Sequence, residues 1–123
     1  SGGEMSRLTL CIKSLVAGAI TLPTLIFDEI DAGVSGDVAG KVGKILSRLA
    51  ERHQVICITH SPQIAARASC HYWVYKSDTD TRTITAMKQL SADEKITEIA
   101  KMLSGNPPTD AALANARELI NLT

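Results

Sequence analysis

The stretch Thr24-Leu25-Ile26-Phe27-Asp28-Glu29 constrains this chain most, because an apolar run ends there in two adjacent carboxylates. Pro23 introduces it and the Gly-containing loop at Ala32-Gly33 follows, so the run reads as a short, fully buried parallel strand. Such a strand delivers its last residues to the carboxyl edge of a sheet, where ligands of open α/β folds bind. Two carboxylates delivered to that edge make it a candidate site. An acidic pair can also simply end a core strand and cap the next loop, so the rest of the chain has to decide.

A second strand, Val55 to Thr59, ends in His60-Ser61-Pro62. His60 should therefore reach the same edge as Asp28 and Glu29, where an imidazole can donate to a phosphate oxygen or simply serve as a satisfied structural histidine. Between the strands lies the turn-rich loop Ile30 to Gly36, then a helix from about Asp37 to Arg52 with Val38, Val42, Ile45, Leu46 and Leu49 on one face. The chain opens Ser1-Gly2-Gly3-Glu4, a capping-box pattern, ahead of Met5, Leu8, Leu10, Ile12, Leu15 and Val16 at helical spacing. Free N–H groups at such a helix start can form an anion site, and the same pattern by itself suits an ordinary capped helix.

Beyond Pro62 a short helix leads to about Ala68, and His71–Lys76 with Arg82–Lys88 read as a hairpin at the sheet edge. Two helices follow, about Ala92–Leu103 and Thr109–Leu122, broken by Gly105-Asn106-Pro107-Pro108. Alternating α and β elements imply an α/β fold with a small, mainly parallel sheet flanked by helices. Two parallel strands and a hairpin are thin for a self-sufficient domain, which points to a missing partner half.

Residues 1–123 contain no Gly-x4-Gly-Lys-Ser/Thr loop. Gly36 to Gly40-Lys41 is one residue short and lacks the hydroxyl, and Gly43-Lys44 fails likewise, so both lysines are expected to face solvent. Cys57, His60, Cys70 and His71 lack the knuckle spacing of a zinc site, and His53 reads as a surface residue. A formal net charge of +0 gives no overall basic footprint for nucleic acid. No stretch has the length of a membrane span or the layout of a signal peptide. The odd number of cysteines, 3, suggests reduced core residues of a cytosolic protein.

Ser1-Gly2-Gly3-Glu4, Thr24 to Glu29 and Ile58-Thr59-His60-Ser61 resemble, in order and rough spacing, the signature, Walker B and switch-histidine motifs of ABC-type ATPases. The form Asp28-Glu29-Ile30-Asp31-Ala32-Gly33-Val34-Ser35-Gly36 resembles the SMC-related branch rather than a transporter, and most closely the RecN-like family of bacterial DNA repair ATPases. Thr59 to Ala66 and Lys101-Met102-Leu103-Ser104-Gly105 resemble that family too. The resemblance implies that residues 1–123 are the C-terminal lobe of a P-loop NTPase head of the ABC/SMC kind, without its Walker A half and coiled coil. It implies ATP and Mg²⁺ as cofactors, with Asp28 supporting the metal, Glu29 as catalytic base and His60 sensing the γ-phosphate. Ser1, Gly2, Gly3 and Glu4 would bind the γ-phosphate held by a second head, and Asp31 to Gly36, including Ser35, would cross the dimer interface. Ser35 departs from the aspartate most ABC ATPases carry there. The implied partners are the Walker A half of the same protein, a second head and, through the whole protein, DNA. The implied location is the cytoplasm, at the nucleoid. Alone, this piece should not hydrolyse ATP, and a sheet edge and one apolar face should be uncovered. The competing readings are a non-catalytic dimerisation module and a transporter nucleotide-binding domain.

Overall fold

In the computed structural model, which describes residues 2–122, the elements run α1 (Gly2–Ala19), β1 (Thr24–Asp28), α2 (Gly36–Leu49), β2 (Gln54–Ile58), α3 (Pro62–Ala65), β3 (Tyr72–Asp78), β4 (Thr83–Gln89), α4 (Ala92–Ser104) and α5 (Asp110–Asn121). They fall into two units, one ending at Arg67 and the other beginning at Ala68.

In the first unit β1 and β2 pair in parallel, in register from Thr24↔Gln54 to Asp28↔Ile58. Parallel strands need a crossover, which α2 supplies. Ser35 caps α2, its hydroxyl accepting from the Val38 N–H at 3.4 Å. Ala39, Val42 and Leu46 of α2 are buried with Leu25 and Phe27 of β1, Leu10 and Ala17 of α1, Ile30 and Ile64. α2 and α3 approach closely at Gly43, where a Cβ would lie 2.7 Å from Cδ of Arg67.

The strands are not buried on both faces as their composition suggests. Leu25 and Phe27 point into the core, whereas Ile26, Ile56 and Ile58 on the other face are 54%, 45% and 51% exposed. The described helices of this unit serve one side of a two-stranded sheet, so alternation decides burial and the apolar run does not. The uncovered apolar face expected from the sequence is therefore present. The apolar set of α1 divides similarly. Leu10 and Ala17, two turns apart, are buried, while Leu8, Ile12, Leu15 and Val16 face outward. Cys11 is exposed on this helix and Cys70 is exposed beyond Arg67, so neither is the core cysteine the composition suggests. Ile45 is outward too, because the core stripe of α2 runs through Ala39, Val42 and Leu46. His53 is part-buried, its Nδ1 within 2.5 Å of the Leu22 carbonyl oxygen, rather than simply on the surface.

The second unit opens with a β3–β4 hairpin paired antiparallel from Tyr72↔Gln89 to Asp78↔Thr83. It forms a sheet of its own rather than the edge of the parallel pair. A local turn explains this: the Thr79 N–H donates to the Arg82 carbonyl at 2.8 Å, and the two strands then satisfy each other's facing backbone groups. Trp73 stacks on Tyr75 with centroids 4.4 Å apart. A capping box starts α4: the Glu94 N–H donates to Ser91 Oγ at 3.2 Å and the Ser91 N–H to Glu94 Oε1 at 3.1 Å. Gly105 (φ 90) ends α4, and Ile99 and Ala100 of α4 are buried, as are Ala112 and Ala116 of α5.

Part-buried at the foot of this hairpin, His71 leaves Nδ1 buried without a hydrogen-bond partner. Lys95 anchors nearby on the Ala68 carbonyl at 2.6 Å. Burial, and then the Lys95 charge, push the His71 pKa down, against an opposing pull from Glu98.

Two outcomes follow. Phe27→Ala should cost about 3–5 kcal/mol of stability in denaturant titration, while Ile56→Thr on the uncovered face should stay within about 0.5 kcal/mol. For His71, the folded pKa lies below the unfolded one, so the neutral ring's contribution is complete above the unfolded value of 6.5 and is lost as pH falls through the folded pKa. Amides of the hairpin and α4 should lose exchange protection between neutral and mildly acid pH, after correction for intrinsic rates, and His71→Asn should flatten that dependence.

Candidate functional site

Because β1 and β2 are parallel and in register, their carboxyl ends lie side by side, and the segments after Asp28 and Ile58 leave the sheet together. The Glu29 N–H donates to the Ile58 carbonyl at 2.8 Å, carrying the ladder one step beyond the strand. By alternation Glu29 would then point into the core with Leu25 and Phe27. Instead its backbone turns left-handed, with φ 52, and the buried place passes to Ile30. The Glu29 carboxylate stays exposed, where Oε1 lies 2.8 Å from Nε2 of His60.

A cleft of about 340 Å³ opens here, walled by the 29–36 loop with Ala39 on one side and by His60 to Gln63 on the other. Thr59 Oγ1 donates to Asp31 Oδ2 at 2.7 Å and accepts the Ser61 N–H at 2.9 Å. Ser61 is buried and donates through Oγ to Gln63 Oε1 at 2.9 Å.

Of the residues singled out in the sequence, the structure brings together Glu29, Asp31 and His60 at this cleft. Asp28 is not among its walls; alternation sets it on the uncovered face, exposed, its carboxylate with no hydrogen bond or ion pair among the described residues. Ser35 stands at the head of α2 as its cap. Gly2, Gly3 and Glu4 form the first turn of α1, and Ser1, with the capping box attributed to it, lies outside the described residues. Gly36, Gly40 and Gly43 belong to α2, with Lys41 3.9 Å from Asp37 on its solvent side, so this segment is helix and not a phosphate loop. The sequence reading missed Thr59 and Gln63. A β-branched residue ending a strand looks like any strand former, and nothing local shows that Thr59 reaches across to Asp31.

The donor set bears on a metal. Among the described residues no three His, Cys, Asp or Glu side chains cluster closely enough to hold one. Magnesium, however, keeps several waters and is commonly bound by one or two carboxylates together with substrate phosphates. The exposed, unpaired Asp28 carboxylate fits that mode. Just behind the edge, Cys57 is part-buried, and burial together with the Asp31 and Asp28 carboxylates pushes its thiol up to about 11.

No family model matches the chain. It is 46% identical to the DNA repair protein RecN of Haemophilus influenzae over 99% of its length, 52% identical to that of Deinococcus radiodurans over 98%, and 43% identical to that of Bacillus subtilis over 98%. The chain is a RecN-like segment. It spans only 21–22% of the length of these relatives. The RecN-like segment also shares its fold with a solved chain from work on ATP-driven dimerization and DNA-stimulated activation of SMC ATPases. The two are 21% identical with a TM-score of 0.65, over 85% of this chain and 62% of the other. The α/β architecture is thus that of part of an SMC-type, P-loop NTPase-like fold. No helix among the described residues is long and apolar enough to cross a membrane.

The raised thiol pKa gives a direct check on the carboxylates. At pH 8, Cys57 should hold about 100-fold less thiolate than an ordinary cysteine of pKa 9.0, so alkylation should mark Cys11 and Cys70 well before it. Asp31→Asn should speed labelling of Cys57, read by mass spectrometry of the peptide.

Proposed function

We propose that residues 1–123 are the C-terminal lobe of the ATPase head of a RecN-like DNA double-strand-break repair and recombination protein. The observation that carries this reading is the meeting of Glu29 and His60, 2.8 Å apart, at the shared carboxyl edge of a parallel strand pair in a chain RecN-like throughout.

In this reading Asp28 would hold the Mg²⁺ that accompanies ATP. The bound Mg-ATP supplies the transferable γ-phosphoryl group and the metal charge that offsets its oxygens. Glu29 orients the attacking water and accepts its proton. His60, beside it, donates to a γ-phosphate oxygen as negative charge spreads there. Their direct contact shows that both side chains reach one point, and their exposure leaves that point open to a ligand. Gly2, Gly3 and Glu4, with Ser1, offer the start of α1 to the γ-phosphate held by a second head. Asp31 and Ser35 belong to the loop that faces this second head.

In this reading the lysine loop that cradles the phosphates comes from a Walker A half of the same protein; residues 1–123 contain no such sequence. ATP-dependent head engagement is coupled through the rest of the protein to holding DNA, which places the protein at the nucleoid in the cytoplasm. The RecN names of the relatives favour this over a transporter domain. The acidic and imidazole pair at the sheet edge favours it over an inert dimerisation module.

In the full-length protein Glu29→Gln should lower kcat by about two to four orders of magnitude while nucleotide binding persists. Light scattering on that variant should show ATP raising the mass, and Ser1→Arg should abolish the rise. An unchanged hydrolysis rate would rule out Glu29 as the base.

A further inference from the structure

We infer that Thr59 is a positioning residue that ties the Asp31 loop to the His60 turn and so holds Glu29 and His60 in their working geometry. This rests on the ATPase reading above and adds to it a residue and a role.

The geometry is specific. Two segments leave the sheet side by side, and among the described residues three ties join them near the edge. One is the Glu29 N–H to the Ile58 carbonyl at 2.8 Å, a backbone bond that any residue could make. A second is the contact of Glu29 with His60, at 2.8 Å, which a ligand entering the cleft would compete for. The third is Thr59 Oγ1 to Asp31 Oδ2, at 2.7 Å and part-buried, a hydroxyl-to-carboxylate bond of the stronger, charge-assisted kind.

The Thr59 hydroxyl is committed in both directions. It accepts the Ser61 N–H at 2.9 Å, which fixes its orientation and leaves its one proton for Asp31. Each end of this bridge is built into its own turn. On one side, the Val34 N–H donates to the Asp31 carbonyl and the Ala32 N–H to the Glu29 carbonyl, both at 3.1 Å, so Asp31 is set one turn from Glu29. On the other, Ser61 caps α3, its hydroxyl accepting from the Ile64 N–H at 3.4 Å, while His60 lies between Thr59 and Ser61. Glu29 holds a left-handed φ of 52, a conformation that a non-glycine residue keeps only when its surroundings determine it. When ligand draws His60 away from Glu29, the Thr59–Asp31 bond is the side-chain tie that remains. Serine can make both bonds of the threonine hydroxyl; valine, of nearly the same shape, can make neither.

The test uses the full-length protein, with steady-state ATPase assays and hydrogen exchange read by mass spectrometry on peptides covering the 29–35 loop and the 59–65 turn. Thr59→Val should lower kcat about 10- to 100-fold with a much smaller change in KM, as expected for misplaced groups rather than lost substrate binding. It should also speed exchange in both peptides. Thr59→Ser should restore both readouts. Thr59→Val combined with Asp31→Ala should lose no more than the worse single variant, since both remove one interaction. A Thr59→Val protein with wild-type kcat and wild-type exchange, or losses that simply add with those of Asp31→Ala, would overturn the assignment. The ATPase reading is scored separately: if Glu29→Gln hydrolyses ATP at the wild-type rate, that reading fails, while exchange in the Thr59 variants still decides whether the tie exists.

Discussion

Parallel pairing of two five-residue strands is the constraint on which the rest of the first unit depends. Antiparallel strands joined by a tight turn would put the end of one beside the start of the next. Parallel strands put both ends together, at the cost of a long crossover, and here that crossover is α2. The register Asp28↔Ile58 then brings the Glu29 and His60 side chains within reach of each other. Their meeting needs no flexible arm; it follows from strand direction and register. A slip of one residue would turn Leu25 and Phe27 out of the core and Ile26 into it, so the hydrophobic pattern that stabilises the unit also fixes the site.

The departure of Glu29 from regular strand geometry shows how the chain resolves a conflict between core and chemistry. Two positions after Phe27, pleat alternation would bury a carboxylate without a partner, which is expensive. The left-handed turn at Glu29 hands the buried position to Ile30 and brings the carboxylate out to the cleft. Such a backbone costs on the order of 1–3 kcal/mol, less than burying an unpaired charge. The ladder bond from the Glu29 N–H to Ile58 and the turn bond from the Ala32 N–H to the Glu29 carbonyl hold it.

Those parts of the fold carried by local signals were legible in the sequence. The strands, the helices and the hairpin fall within a few residues of their expected bounds, because Pro23, Gly33 and Gly105 punctuate them and apolar spacing fills them. The convergence of Glu29, Asp31 and His60 was legible as well, since strand ends in an alternating chain share an edge. What failed were inferences from apolarity to burial. Ile26, Ile45, Ile56 and Leu15 read as core residues, yet each faces away from the layer present on its element. Thr59 was illegible for a different reason: its partner Asp31 is 28 positions away, and only tertiary structure can show the bond.

That failure of apolarity is itself informative. A surface helix normally confines its apolar residues to one stripe, and a one-sided sheet normally alternates with polar residues outward. Here α1 carries large apolar side chains outward at Leu8, Ile12, Leu15 and Val16, and the outer sheet face carries Ile26, Ile56 and Ile58. Exposed apolar side chains grouped on one face in this way suit an interaction face better than a solvent face. The composition of β1 and β2 is that of strands covered on both sides, and the relatives that the chain matches are several times as long as it is. Asp28 stands on that same outer face of β1, at its carboxyl end. Anything that packed against Ile26 and Ile58 would therefore lie beside Asp28 as well, because all three stand on one face of the sheet.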